Sequence, residues 1–514
     1  MTSERSSLPS RRHPIDLFLS AAFCVVLILR FFFPFFYNPY NSRYTDMLRH
    51  LENGQHLFHP TFQNGVDPKT YQVWLYLLQL LPTNEMASFS AFFTGLLCAG
   101  MAWFWYKALR EITTRRMALI IAIAIGAHLS LLVIYAFFMI ETMVLTTTAL
   151  ASWLALRAAR KRTEWAYLAA MIAWTVAAFA KPTVLPLMAL GMGYAIYPQN
   201  NKPRLILLSG AIFFLFLAPA AWQGIKTLHF FTPFGCSEMQ VISRKSERLS
   251  YGLRMRENGP MSSAQIQRNQ QYPNSYENMH HQGNDGMWWF PESYYSNVLE
   301  PFGTYVSTRE RDPFFSEIDL SKGSIDWNEI IRKLAEKRSW SEVLRDYKEN
   351  LIFLFFSFSW PDSEPATFTN SPPVYLFRSV AQESHEPKSL VRLNFHLRWL
   401  WFPCFLLVLL RAPFARLSPG KTWFVCGAFA MTWFFLLQDT GVVEGRYRKV
   451  LEPYLIAATF FLVESFFVRA PGINRISLRD FIWKIYVVPF CHRFYSAIFD
   501  EPARQQLSAE KGKA

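Results

Sequence analysis

About ten apolar runs punctuate this 514-residue chain, and alternate loops between them are rich in lysine and arginine. A helical run of roughly 18 residues or more matches the ~30 Å hydrocarbon of a bilayer, a length a soluble domain has no need to repeat. Lysine and arginine in short loops mark the cytoplasmic side. The pattern predicts an all-α polytopic membrane protein with about ten transmembrane helices. Polar residues that face away from the basic loops are then the ones to explain, because charge at a membrane boundary is costly to bury and usually functional.

Whole-chain averages hide this organisation. The mean hydropathy is only +0.09, although 51% of residues are hydrophobic and Phe (48) and Trp (17) abound. A single polar block, residues 223–394, lowers the average. The net charge of +14 invites a nucleic-acid reading, but much of the excess lies in short loops beside apolar runs, where it sets orientation. No nucleic-acid partner is therefore expected. Of six cysteines, only Cys236 lies in the polar block, so that block holds no internal disulfide; no CxxC pair suggests a zinc or redox site.

Threading starts from a cytoplasmic tail (1–14) carrying Arg5, Arg11 and Arg12. No small-residue cleavage site follows the first apolar run, so it reads as a retained helix. An N-terminal module (15–222) holds helices one to seven: 15–36, 86–106, 117–138, 140–156, 165–179, 183–197 and 205–222. Arg30, inside the first, reads as snorkelling or paired. The first outer loop (37–84) contains an amphipathic piece at 46–57 and a short apolar piece at 71–81, too short to cross and suited to the surface. A large extracytoplasmic insertion (223–394) separates helices seven and eight. Within it, 324–350 reads as amphipathic helix, Trp288 to Tyr295 forms an aromatic cluster, and His280 and His281 read as loop residues rather than metal ligands. The run 351–360 reads as a surface or re-entrant piece; a true crossing there would invert everything after it. Helices eight to ten occupy 395–468, and the cytoplasmic tail (469–514) carries a possible interfacial helix at 481–499.

Four short segments place charge on the outer side of this threading. Asp46 lies just beyond the first helix, and Arg43 and His59 are further candidates in the same loop. Glu141 opens the fourth helix, where the helix dipole alone would favour an acid. Lys181 sits in the turn Lys181-Pro182-Thr183 after the fifth. Glu444-Gly445-Arg446-Tyr447-Arg448 precedes the last helix, with Pro453 just after. The outward cations run against the orientation rule, which points to an anionic ligand. No P-loop appears, so ATP-driven transport has no support.

This order of segments resembles the GT-C superfamily of membrane glycosyltransferases, in particular the branch of protein O-mannosyltransferases and lipid A aminoarabinose transferases. Such enzymes carry an acid in the first outer loop, an acid at the outer start of the fourth helix, a K-[GP]-[TP] turn after the fifth, and an RY…P stretch before a late helix. The matching residues are Asp46, Glu141, Lys181-Pro182-Thr183, and Arg446-Tyr447 with Pro453, over 15–200 and 395–468. The chain differs from many members in reading Lys-Pro-Thr rather than the commoner Lys-Gly at the turn, in its single loop Asp, in Glu rather than Asp at the fourth helix, and in the position of its outer block. The resemblance implies transfer of a sugar from a polyprenyl-phosphate donor to a glycan, lipid or protein acceptor. Asp46 would be general base and Glu141 an orienting carboxylate, with Lys181, Arg446, Tyr447 and Arg448 at the donor phosphate. Glu444, Arg43 and His59 are secondary candidates. No metal ligands are assigned, although a divalent cation has room in such a scheme.

Two rivals remain from the residues alone. A polysaccharide polymerase or ligase of another superfamily would also use outer arginines. A non-catalytic lipid or polysaccharide transporter would carry polar residues at mid-depth lining a path. The chain has no N-x-S/T sequon, which favours a bacterial inner membrane over the endoplasmic reticulum.

Overall fold

The computed structural model describes residues 14–41, 46–58, 69–82, 85–228, 400–437, 448–467 and 476–477, with a few isolated positions besides. The described residues are mostly helical. In chain order the helices are α1 (Pro14–Phe36), α2 (Asp46–Gln55), α3 (Lys69–Gln79), α4 (Met86–Arg110), α5 (Arg115–Ala127), α6 (Leu129–Val133) and α7 (Ile140–Lys161). They continue with α8 (Glu164–Ala180), α9 (Leu185–Ile196), α10 (Lys202–Leu228), α11 (Trp401–Arg411), α12 (Pro419–Leu437) and α13 (Glu452–Phe467). Among them, Pro14–Asn41, Met86–Arg110 and Lys202–Trp222 are long and apolar enough to cross a membrane, and the bent pair α5–α6 makes a fourth if it counts as one span.

The bent pair corrects the expectation of a continuous third helix over 117–138. The chain turns by 62° at the junction of α5 and α6, where His128 adopts extended backbone (φ −68°, ψ 121°). Breaking a helix in an apolar bundle strands carbonyls that need new donors. Arg30 supplies two of them, at Gly126 and Leu131, and anchors itself on α4 through a third carbonyl. Its Nε donates to Cys98 O, its Nη1 to Gly126 O and its Nη2 to Leu131 O, each at 2.8 Å. Its guanidinium also lies 5.4 Å from the centre of the Tyr135 ring. Arg30 is therefore paired and fully enclosed rather than snorkelling. Gly126 makes the approach possible: a Cβ there would stand 2.6 Å from Val26 Cγ1 on α1.

Packing fixes the direction of the helices. At one end, Arg116 binds Asp16 at 2.6 Å, Arg160 binds Glu111 at 3.2 Å, Asn201 donates to Glu164 at 2.6 Å, and Gly420 abuts Ile112. The basic loops 110–116, 157–164 and 199–204 thus meet the start of α12 at a common end of the bundle. The strands Arg416–Leu417 and Ile476–Ser477 pair antiparallel, which returns the chain after α13 to the loop before α12. α10 runs beside α8 in the same direction, since Ser209 meets Tyr167 and Phe213 and Phe216 meet Phe179. α10 therefore leaves the basic end. α11 returns to it, because Trp401 touches His128 at the break while Arg411 covers Phe466 near the end of α13. In the core, Trp105 of α4 meets Phe424 of α12 and Tyr454 of α13. Ser152 of α7 shares a 2.7 Å hydrogen bond with Tyr454. These contacts dock the last three helices onto the first ones.

The pieces expected at 46–57 and 71–81 correspond to α2 and α3. The readings made of 324–350, 351–360, 481–499, His280, His281 and the Trp288–Tyr295 cluster lie outside the described residues. Among the described residues Cys24, Cys98, Cys404 and Cys426 carry free thiols.

Replacing Arg30 by Met should destabilise the protein by about 2 kcal/mol or more, taking about 1 kcal/mol for each of the two carbonyls at the break left without a donor. Denaturation of the purified protein in detergent measures this. An unchanged unfolding midpoint would remove Arg30 as the clamp of the break.

Candidate functional site

The end of the bundle away from the basic loops is built from the start of α7, the end of α8, helices α2 and α3, the 128–139 connection and the approach to α13. Glu141 sits in the first turn of α7, after Met139 with extended backbone. Lys181 ends α8, where Pro182 prevents the helix from continuing. The two side chains meet: Lys181 Nζ donates to Glu141 Oε1 at 2.6 Å, with 9% and 5% of the side chains exposed. A charge pair this enclosed is held by geometry, since desolvation offsets most of its Coulomb energy.

α2 and α3 pack against each other beside this pair. Gln79 Nε2 donates to Leu51 O at 2.9 Å, and Gly54 lies so close to α3 that a Cβ would meet Leu75 Cβ at 2.9 Å. His50, one turn after Asp46, packs edge-on against Tyr71 with ring centres 5.5 Å apart. Tyr71 in turn hydrogen-bonds the Thr142 side chain and feels the Glu141 carboxylate. Burial pushes the Tyr71 phenol well above its ordinary range, with the Glu141 charge adding to the rise and the Thr142 bond opposing it. Tyr71 is thus a neutral hydroxyl at any ordinary pH. The backbone position of Asp46, at the start of α2, is one helical turn from a residue in this chain of contacts.

A second group lies across the 128–139 connection. Arg448 Nε donates to Glu452 Oε1 at 3.0 Å, both enclosed, and its guanidinium lies 5.4 Å from the Trp401 ring centre. Lys449 Nζ donates to the backbone carbonyl of Ser130 and, at 3.1 Å, to its hydroxyl. The ring of His128 packs 4.7 Å from Trp401, and neither His128 Nδ1 nor Glu452 Oε2 has a hydrogen-bond partner among the described residues. The two groups are joined through polar contacts. Thr146 of α7 bonds the Thr142 carbonyl at 3.0 Å and the Tyr135 hydroxyl at 3.0 Å. Tyr135 lies under Arg30, which holds Gly126 and Leu131.

Glu141 and Lys181 therefore come together, and Arg448 stands at the same end of the bundle. The side chain of Asp46 and the residues Arg43, His59, Glu444, Arg446 and Tyr447 lie outside the described set. His50, Tyr71, Ser130, Lys449 and Glu452 complete the arrangement and were not singled out from the sequence. Lys449 and Glu452 had a usable signal, since both flank the RYR segment at a helix start. His50 and Tyr71 had none, because only the pairing of α2 with α3 joins them. Among the described residues no group of three or more His, Cys, Asp or Glu side chains is placed to hold a metal ion.

No protein-family model, curated protein or solved structure matches this chain.

Removing one partner of the Glu141–Lys181 pair strands a buried charge, so Glu141→Gln and Lys181→Met should each destabilise by about 3–5 kcal/mol. The double variant should lose much less than the sum. Additive losses in a double-mutant cycle, read by unfolding in detergent, would mean the two side chains do not act as a pair.

Proposed function

We propose that the chain is an integral-membrane glycosyltransferase of GT-C type. It would move a sugar from a polyprenyl-phosphate donor to a glycan, lipid or protein acceptor. The observation that carries this reading is the enclosed Glu141–Lys181 pair, set beside the helix that Asp46 opens and at the same end of the bundle as Arg448 and Lys449. An acid, an orienting carboxylate and several cations at one apolar boundary suit a substrate whose phosphate lies at the surface while its chain lies in lipid.

In this reading the acceptor hydroxyl attacks the anomeric carbon and gives its proton to Asp46. The bond between that carbon and the donor phosphate oxygen breaks, and the electron pair leaves with the lipid phosphate. Lys181, with Arg446, Tyr447 and Arg448, offsets the charge that grows there. Glu141 keeps Lys181 charged and aimed in a site where a lone ammonium would be costly.

The directions of α10 and α11 support an even number of crossings between them. They fit ten helices with both termini cytoplasmic and the polar block outside, as in a bacterial inner membrane. They speak against a lone crossing at 351–360, which would place Trp401 at the basic end.

A transporter for lipid or polysaccharide has one observation in its favour, the broken α5–α6 pair, since interrupted helices line many transport paths. The three carbonyl bonds of Arg30 argue for a fixed break rather than a moving gate.

Purified protein offered a panel of polyprenyl-phosphate sugars, with and without chelator, tests the reading. Asp46→Asn should abolish transfer while the protein still inserts and folds. Lys181→Met should slow it on the order of 100-fold, the effect of losing one transition-state contact of about 3 kcal/mol. Near-normal transfer by the Asp46 variant would take Asp46 out of the mechanism. Translocation of the lipid without transfer would favour the transporter.

A further inference from the structure

The basic end of the bundle carries a cluster of cations and aromatic rings on α4 and α7 that the transferase reading does not use. On α4, Phe92, Leu96 and Trp103 form an outward apolar stripe at helical spacing, each with 40–48% of its surface exposed. Lys107 ends that stripe one turn later. Its Nζ lies 5.2 Å from the Trp103 ring centre and 5.8 Å from that of Trp153 on α7. Trp153 stacks on Phe104 of α4 at 5.9 Å, which ties the two helices together beside Lys107. Arg157, one turn beyond Trp153, lies over Trp153 and Trp165 at 5.9 and 5.4 Å.

The charges here are unequal. Glu111 is the acid of this rim, and it is engaged by Arg160 at 3.2 Å, with Arg157 at 4.0 Å. Lys107 has no acidic partner among the described residues, and Arg157 approaches Glu111 only to 4.0 Å. Arg157 leaves 37% of its side chain exposed. A cation between aromatic rings at a bilayer boundary is well placed for a phosphate at headgroup level, with the adjoining apolar stripe facing acyl chains.

We propose that this cluster binds an anionic glycerophospholipid of the leaflet at the basic end. Lys107 and the open side of Arg157 take the phosphate, and one acyl chain lies along Trp103, Leu96 and Phe92. The inference rests on the chain being embedded in a membrane, as read above, but not on its catalysing transfer.

The test is lipid binding by the full chain in detergent, read by native mass spectrometry during titration with dioleoyl phosphatidylglycerol or dioleoyl phosphatidylcholine. The wild type should bind phosphatidylglycerol at least fivefold more tightly. Lys107→Gln/Arg157→Gln should reduce that preference below twofold, whereas Lys161→Gln/Arg162→Gln, in the neighbouring exposed loop, should keep it. Should the double variant not fold, Lys107→Gln alone should lose at least half of the preference and Lys107→Arg should retain it. Equal binding of the two lipids by wild type, or an equal loss in the loop variant, would overturn the site and leave only a diffuse charge effect. No transfer is measured, so a failed transferase reading and a failed lipid site give separate results.

Discussion

A guanidinium enclosed by apolar helices persists only if its N–H groups find acceptors, and a helix broken inside a bundle persists only if its stranded carbonyls find donors. Arg30 and the α5–α6 break satisfy each other. One residue of α1 reaches α4 through Cys98 O and both sides of the break through Gly126 O and Leu131 O. The position of the 128–139 connection follows from that clamp. So does the placing of Ser130 against Lys449 and of Tyr135 against Thr146. The candidate site is therefore hung on a contact that takes no part in its chemistry.

The site also depends on how its cations are held. Lys181 leans on Glu141, Arg448 on Glu452, and Lys449 on the Ser130 carbonyl and hydroxyl. At the opposite end, Lys107 and Arg157 lie over tryptophan rings, and Arg157 stays partly exposed. An ammonium buried without an acceptor tends to lose its proton, whereas one at the rim keeps it through water and lipid phosphate. The same residue types thus serve as fixed charges at one end and as adaptable anchors at the other, and their neighbours decide which.

Much of this was legible in the sequence because the signals were local. Apolar length and flanking charge located α1, α4, α7, α8 and α10 to within a few residues, and amphipathic spacing located α2. Glu141 and Lys181 stood out because charge next to an apolar run is rare. The break at His128 was hidden. Residues 117–138 are almost uniformly apolar, and the donor that stabilises the interruption lies about a hundred residues earlier in the chain. Gly126 and His128 were the local hints, and either would fit an unbroken helix. Arg30 was seen as anomalous, but its acceptors are backbone atoms, which carry no sequence signature.

Position in the fold argues that the break matters for more than packing. α5 has 13 residues, about 20 Å of helix at 1.5 Å per residue, well short of ~30 Å of hydrocarbon. In a bilayer, with α5 as part of a span, the 128–139 connection would sit below the level at which a full-length helix would surface. Side chains that reach it, such as Lys449 from the approach to α13, would be drawn down to the same depth. On the proposed reading, polar groups sunk in this way would meet a lipid-borne headgroup partly inside the apolar layer, where water is scarce and each cation–anion contact is stronger than at the surface. A continuous helix would have lifted the same residues into solvent. On that reading the interruption, held by Arg30, would let charged side chains act at a depth where lipid-linked chemistry gains most from them.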